Sequence, residues 1–88
     1  MRVFRFWNWK EYHKWIIQNK AVAVDCAEGC LLDNLLCDCK NGIAFLFETY
    51  LSANSSDYTV YFFRKDEEET EEYEECMKRF CALQDCME

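Results

Sequence analysis

The chain contains no proline and only two glycines, Gly29 and Gly42, in 88 residues. It holds no proline-rich or low-complexity stretch and no internal repeat, so residues 1–88 read as a single domain. The two glycines are isolated, which excludes a phosphate-cradling glycine loop. No run approaches the roughly 20 apolar residues of a membrane-spanning helix. There is one histidine, His13, and no pattern sets a base, an orienting acid and an oxyanion donor around it. The expectation is therefore a non-enzymatic protein with no catalytic residues, no cofactor and no metal.

What is present is apolar mass: 51% of the residues are hydrophobic and fifteen are aromatic. Disorder needs the opposite composition. A chain this short buries only about 60–65% of its unfolded surface, so its core has to be rich in such residues. Seven cysteines would suggest disulfides in an exported chain, but the number is odd. The first residues, Met1-Arg2-Val3-Phe4-Arg5-Phe6-Trp7, break their apolar run with charge and lack the pattern of a secretory signal. The cysteines are expected to be reduced thiols, mostly small buried hydrophobes, in a bacterial or viral cytosolic protein. Their spacings, C-x3-C-x6-C-x-C from Cys26 and C-x4-C-x4-C from Cys76, differ from the C-x2-C pairs of zinc modules.

The pattern along the chain predicts an α+β fold, with a small antiparallel sheet of four to five strands and two helices in the order β-α-β-β-β-β-α. Met1–Trp7 alternates as a strand. Asn8 and Glu11 fit a helix N-terminus, opening a helix from Trp9 to about Asn19 with a core face of Trp9, Tyr12, His13 and Ile16. Trp15 and Ile17 fall on opposite flanks of that face, so Trp7 and Trp15 become candidate contact residues, with edge-of-core aromatics as the alternative. Ala21–Asp25 reads as a short strand and Cys26–Cys30 as a turn. Asn41-Gly42, between Leu31–Lys40 and Ile43–Leu51, carries the signature of a type I′ hairpin, which would pair Lys40 with Ile43 and Leu36 with Phe47. One face of that hairpin holds Leu32, Leu36, Phe45, Phe47 and Leu51. The other holds Leu31, Leu35, Cys37, Cys39, Leu46 and Tyr50, so both faces are apolar and the sheet is either covered twice or sticky. After a polar loop at Ser52–Ser56, Asp57–Arg64 is a further strand. From Asp66 onward a helix is expected, with Tyr73, Met77, Phe80, Leu83 and Met87 as its buried stripe.

Charge is unevenly spread. Residues 1–20 hold five basic residues against one acid, for +4, and the rest hold five against sixteen, for −11. Eight of those acids fall between Asp66 and Glu75. Acids near a helix start and pairs such as Glu74–Lys78 and Glu75–Arg79 are stabilising by a few tenths of a kcal/mol each. Two or three carboxylates suffice for that, and the remainder repel one another. Two readings stay open: a solvated helix face, or a negative ridge for a basic partner surface, with nucleic-acid mimicry as a special case. The field disfavours direct nucleic-acid binding. The candidate partner-binding residues are Glu67, Glu68, Glu71, Glu72, Glu74 and Glu75, with Trp7 and Trp15 as aromatic anchors.

The stretch from Leu31-Leu32-Asp33-Asn34 through Asn41-Gly42-Ile43-Ala44-Phe45, with Ser55-Ser56-Asp57-Tyr58, resembles short uncharacterised accessory proteins of phages and mobile elements. That resemblance covers about a third of the chain and implies a setting, the bacterial host cytoplasm, in which small anti-CRISPR proteins inhibit host defence. The expected function is then an acidic inhibitor of a nucleic-acid-handling or defence complex, acting on the partner's basic surface. The alternatives are a homo-oligomeric structural or regulatory domain, such as a homodimer, and a zinc or thiol-redox module.

Overall fold

The computed structural model describes residues 1–28, 33–52 and 55–85. In chain order they form β1 (Arg2–Phe6), α1 (Trp9–Gln18), β2 (Val22–Glu28), β3 (Asp33–Cys39), β4 (Gly42–Ser52) and β5 (Ser55–Arg64). A 3-10 turn, Lys65–Glu67, then leads to α2 (Glu71–Asp85). The five strands make one antiparallel sheet in the order β1-β5-β4-β3-β2. The α+β class and the expected element order therefore hold. Gly29, Cys30, Leu31, Leu32, Cys86 and Met87, which entered the expected turn, hairpin faces and helix stripe, lie outside the described residues.

Local chemistry sets both ends of α1. Asn8 is extended (φ −130°) and its side chain accepts a hydrogen bond from the Lys10 N–H at 2.7 Å, satisfying one donor that the first turn leaves over. At the other end the Lys20 N–H donates to the Ile17 carbonyl at 3.2 Å and the Ala21 N–H to the Ile16 carbonyl at 3.0 Å. That is the Schellman arrangement, and it requires a left-handed residue between them. Lys20 supplies it, at φ +50°, where glycine is the usual occupant.

The helices cover opposite faces of the sheet, giving three layers. On the α1 side Tyr12 and Trp15 pack with Cys37, Ala44, Leu46 and Val60. On the α2 side Cys76 and Phe80 pack with Phe45, Phe47 and Phe63. Phe45 is the hub of this second layer, with ring centroids of Phe63, Tyr73 and Phe80 within 5.5–6.2 Å. Deleting such a buried ring costs about 3–5 kcal/mol, through lost transfer energy and the cavity left behind.

The expected turn from Cys26 and loop from Ser52 are shorter than read, because β2 runs to Glu28, β4 to Ser52 and β5 starts at Ser55. Three further local expectations need correction. The β3–β4 turn is Lys40-Asn41, with Cys39 opposite Gly42 and Leu36 opposite Phe45 rather than Phe47. Neither turn residue has the positive φ of a type I′ turn. Gly42 serves a different need: it lies beside Arg64 of β5, and a Cβ there would overlap the Phe63 carbonyl oxygen. The Lys40 N–H is meanwhile held by the Asn19 carbonyl at 3.0 Å, which ties the turn to the end of α1. Because the slip moves each partner by two residues, it leaves Leu36, Phe45 and Phe47 on one face.

The second correction concerns α1. Its buried residues are Tyr12 and Trp15, with Ile16 half-buried, whereas Trp9 and His13 are exposed. The sheet offers the reason. Tyr12 stacks on Tyr58 at 4.4 Å, and Trp15 lies between Phe4 at 5.7 Å and Phe62 at 6.3 Å. The third is the start of α2. Asp66 lies in the 3-10 turn and the α-helix begins only at Glu71, after Thr70, whose hydroxyl accepts from the Tyr73 N–H at 3.4 Å.

On β2 the register shifts between Ala23 and Asp25, so Val24 forms a bulge in the outermost strand. Two substitutions test these backbone assignments by urea unfolding. Gly42→Ala is expected to cost about 2 kcal/mol or more, because backbone and not a flexible side chain must move. Lys20→Gly is expected to stabilise the protein by about 0.5–1 kcal/mol, since it relieves a left-handed residue bearing a Cβ.

Candidate functional site

The acidic segment is divided by its own hydrogen bonds. Glu67 accepts from the Arg64 N–H at 3.0 Å and from Arg64 Nε at 3.3 Å, and it also meets the Met1 amino group. The bond from that ammonium, then the one from the Arg64 N–H, hold the Glu67 carboxyl down to about 2. Glu67 is therefore spent inside the molecule, closing the 3-10 turn, and does not belong with the outward-facing acids. Asp66 lies 3.7 Å from Arg64.

Glu68, Glu71, Glu72, Glu74 and Glu75 are all exposed. At about 100° per residue, Glu71 and Glu75 stand opposite the buried stripe of Tyr73, Cys76, Met77 and Phe80. Glu72 and Glu74 occupy the two flanks. The four helical carboxylates thus wrap about half of the α2 circumference and do not form a single row. The expected Glu74–Lys78 and Glu75–Arg79 ion pairs are absent among the described residues. Arg79 instead lies over the Phe47 ring, 4.2 Å from its centroid. None of these five glutamates forms an ion pair among the described residues, although Glu72 and Glu75 share a concavity with Met1 and Arg79. Glu68, after burial, contributes to raising the Tyr73 phenol above its usual range.

The two tryptophans separate. Trp15 is 8% exposed and belongs to the core, which removes it as a partner anchor. Trp7 is 65% exposed, with the Arg5 guanidinium 4.5 Å from its ring. It is remote from the glutamates: Met1 meets Glu67, whereas Trp7 follows the far end of β1, about 20 Å of extended chain away. Arg5 also pairs with the buried Asp57 at 2.5 Å. The aromatic surface that the sequence pattern missed is on α1. There Trp9 stacks on His13 at 4.5 Å, and Trp9 and Ile17 are 58% and 67% exposed. Lys10 and Lys14 border the same strip. Its 9-13-17 spacing is visible in the sequence, but only the sheet shows which of two apolar arcs turns inward.

Cys37 and Cys39 share the α1 face of β3. Burial pushes the Cys37 thiol to about 12 and the Cys39 thiol to about 11, with Asp38 adding to both. Burial raises Cys76 as well. Such thiols stay protonated at neutral pH and behave as packing groups, since the thiolate is the reactive species and the metal ligand. Among the described residues no three His, Cys, Asp or Glu side chains come together as a metal-ligand group. Among the described residues no helix is long and apolar enough to cross a membrane.

A concavity lies elsewhere, at the sheet end formed by the start of β1, the end of α1 and the β3–β4 turn. It has a volume of about 610 Å3 and a floor of Phe4, Trp15 and Phe62. No protein-family model, no curated protein and no solved structure matches the chain.

Two measurements check these assignments. In the folded protein, maleimide is expected to modify exposed Cys81 at least a hundredfold faster than Cys37, a difference that unfolding abolishes, as read by mass spectrometry. Glu67 has a folded pKa below its ordinary 4.5, so its contribution to stability is complete above that value and is lost as pH falls towards 2. The Glu67→Gln variant is expected to lose less stability than the wild type over that window in acid titrations followed by circular dichroism.

Proposed function

We propose that the protein is a non-enzymatic binder that occupies a basic surface on another protein, using Glu68, Glu71, Glu72, Glu74 and Glu75. The observation that carries this reading is that none of those five side chains forms an ion pair among the described residues. Capping of α2 draws on Thr70, and closure of the 3-10 turn draws on Glu67. The outer carboxylates contribute little to either and repel one another at a small cost in stability. A cation-rich partner turns that repulsion into attraction and speeds encounter.

Basic protein surfaces are commonly those that hold nucleic-acid phosphates. An inhibitor that covers such a surface in a nucleic-acid-handling or host-defence complex fits the charge, and it fits the resemblance to phage accessory proteins. Anti-CRISPR action is the concrete form of the proposal. Trp7 is retained only as a peripheral contact, because the length of β1 separates it from the carboxylates. The spread of glutamates around α2 favours a concave partner groove that embraces the helix over a flat one.

Replacing all five glutamates by lysine is expected to abolish co-precipitation of partners from a bacterial lysate containing defence nucleases, while helical content and melting remain near wild type. Wild-type capture is expected to fall at least tenfold between 50 and 500 mM salt. Capture that survives both the substitutions and the salt would refute the proposal.

A further inference from the structure

A second, oppositely charged feature lies at one end of the sheet. The start of β1, the end of α1, the β3–β4 turn and the end of β5 meet there, as the Lys40–Asn19 hydrogen bond and the Gly42–Arg64 pairing show. These elements bring together Arg2, Lys20, Lys40, Arg64 and Lys65, half of the ten basic residues in a chain of net charge −7. Asp38, Asp66 and Glu67 are the acids of the same end, leaving it at +2.

The 610 Å3 cavity opens in this basic end. Its volume is within the range of about 300–1,000 Å3 usual for small-molecule sites. The floor is aromatic: Phe4 and Phe62 are only half-buried, and the buried Trp15 closes the base between them. Arg2 and Arg64 stand on neighbouring strands at the rim. The Arg2 guanidinium lies 5.3 Å from the Phe4 centroid and has no carboxylate partner among the described residues. Arg64 meets Asp66 and Glu67 through Nε, and its planar fork has more donors than those contacts take. Asn19 and Asn41 add amide groups to the wall, and Met1 with its ion-pair partner Glu67 completes the lining. Asn19 is oriented by the bond from its Nδ2 to the Trp15 carbonyl, at 2.9 Å, which leaves its Oδ1 as an acceptor.

We propose that this cavity binds a small anion that carries a flat ring, the chemistry of a free nucleoside phosphate. The guanidiniums match phosphate oxygens, the rings offer a stacking surface, and the amides suit the polar edges of a base. Glu67, the carboxylate in the lining, is already held by the Met1 amino group and by Arg64. The exposed glutamates of α2 disfavour a long polyanion, whose further phosphates would meet that acidic surface.

Calorimetry on the full chain at 50 mM salt tests this with adenosine 5′-monophosphate, adenosine, inorganic phosphate and a 5′-phosphorylated tetranucleotide. The mononucleotide is expected to bind at least tenfold more tightly than each of the other three. Arg2→Gln and Arg64→Gln are each expected to weaken it at least tenfold. Arg2 carries no ion pair among the described residues, so its replacement reads binding without a folding defect, and a melting curve verifies that. The proposal is overturned by no mononucleotide binding at millimolar concentration, or by adenosine or the tetranucleotide binding as tightly. Unchanged affinity in Arg2→Gln also overturns it. None of these outcomes depends on the α2 glutamates, so this inference and the proposed function fail separately.

Discussion

The burial of β4 from both sides is the constraint on which the remaining structure depends. Ala44, Phe45, Leu46 and Phe47 are all at most 1% exposed, so consecutive residues, which point to opposite faces, are both in a core. A strand with one wet face would alternate with polar residues, and this one cannot. Two amphipathic helices are then needed, one for each face, and both must cross the same strand. The chain order meets this need with α1 between the two edge strands and α2 after the last strand. Each buried side chain of this size contributes about 1.5–3 kcal/mol. Small domains have net stabilities of only about 5–15 kcal/mol, so a few positions on β4 decide whether the fold exists.

That three-layer arrangement also separates charge. α1 exposes Lys10 and Lys14 beside Trp9 and Ile17, whereas α2 exposes its glutamates on the opposite side of the sheet. The sheet end with Arg2 and Arg64 is a third electrostatic region. A net charge of −7 therefore describes no single surface of the molecule. The Arg5–Asp57 pair carries charge into the α2 face of the sheet, and among the described residues neither the second Asp57 oxygen nor the Asn34 amide nitrogen has a hydrogen-bond partner.

Much of the fold was legible in the sequence, for reasons particular residues show. Apolar residues on both faces of 35–47 left a sheet either covered twice or sticky, of which the structure shows the first, and the Tyr73-Met77-Phe80 spacing foretold the face of α2. The hairpin register was misread because Asn41-Gly42 satisfies two different demands. A local turn rule uses glycine for positive φ, whereas here glycine yields space to the Phe63 carbonyl, and that contact comes from a strand more than twenty residues away. Trp9 and Trp15 were ranked the wrong way round for the same kind of reason, since the choice depends on Phe4 and Phe62 flanking Trp15 on the sheet. The acidic segment was visible in the sequence, but separating an internally bonded Glu67 from the exposed carboxylates around it required the path of Arg64 and Met1. Nothing in residue spacing announced the cavity, because its lining comes from five separate parts of the chain.

The bulge at Val24 has a consequence for life at high concentration. A sheet that is open at both edges presents unpaired amides and carbonyls, which a second molecule can extend into a continuous ribbon. Val22 and Val24 are exposed on that outer strand and would add apolar adhesion to such a contact. The extra residue at Val24 breaks the regular two-residue repeat in which an incoming strand would have to lie flat, and Asp25 follows it immediately. On the opposite edge Arg2 and Arg5 put like charges where a second β1 would approach. Both borders of the sheet are thus irregular or charged where a further strand would have to pair.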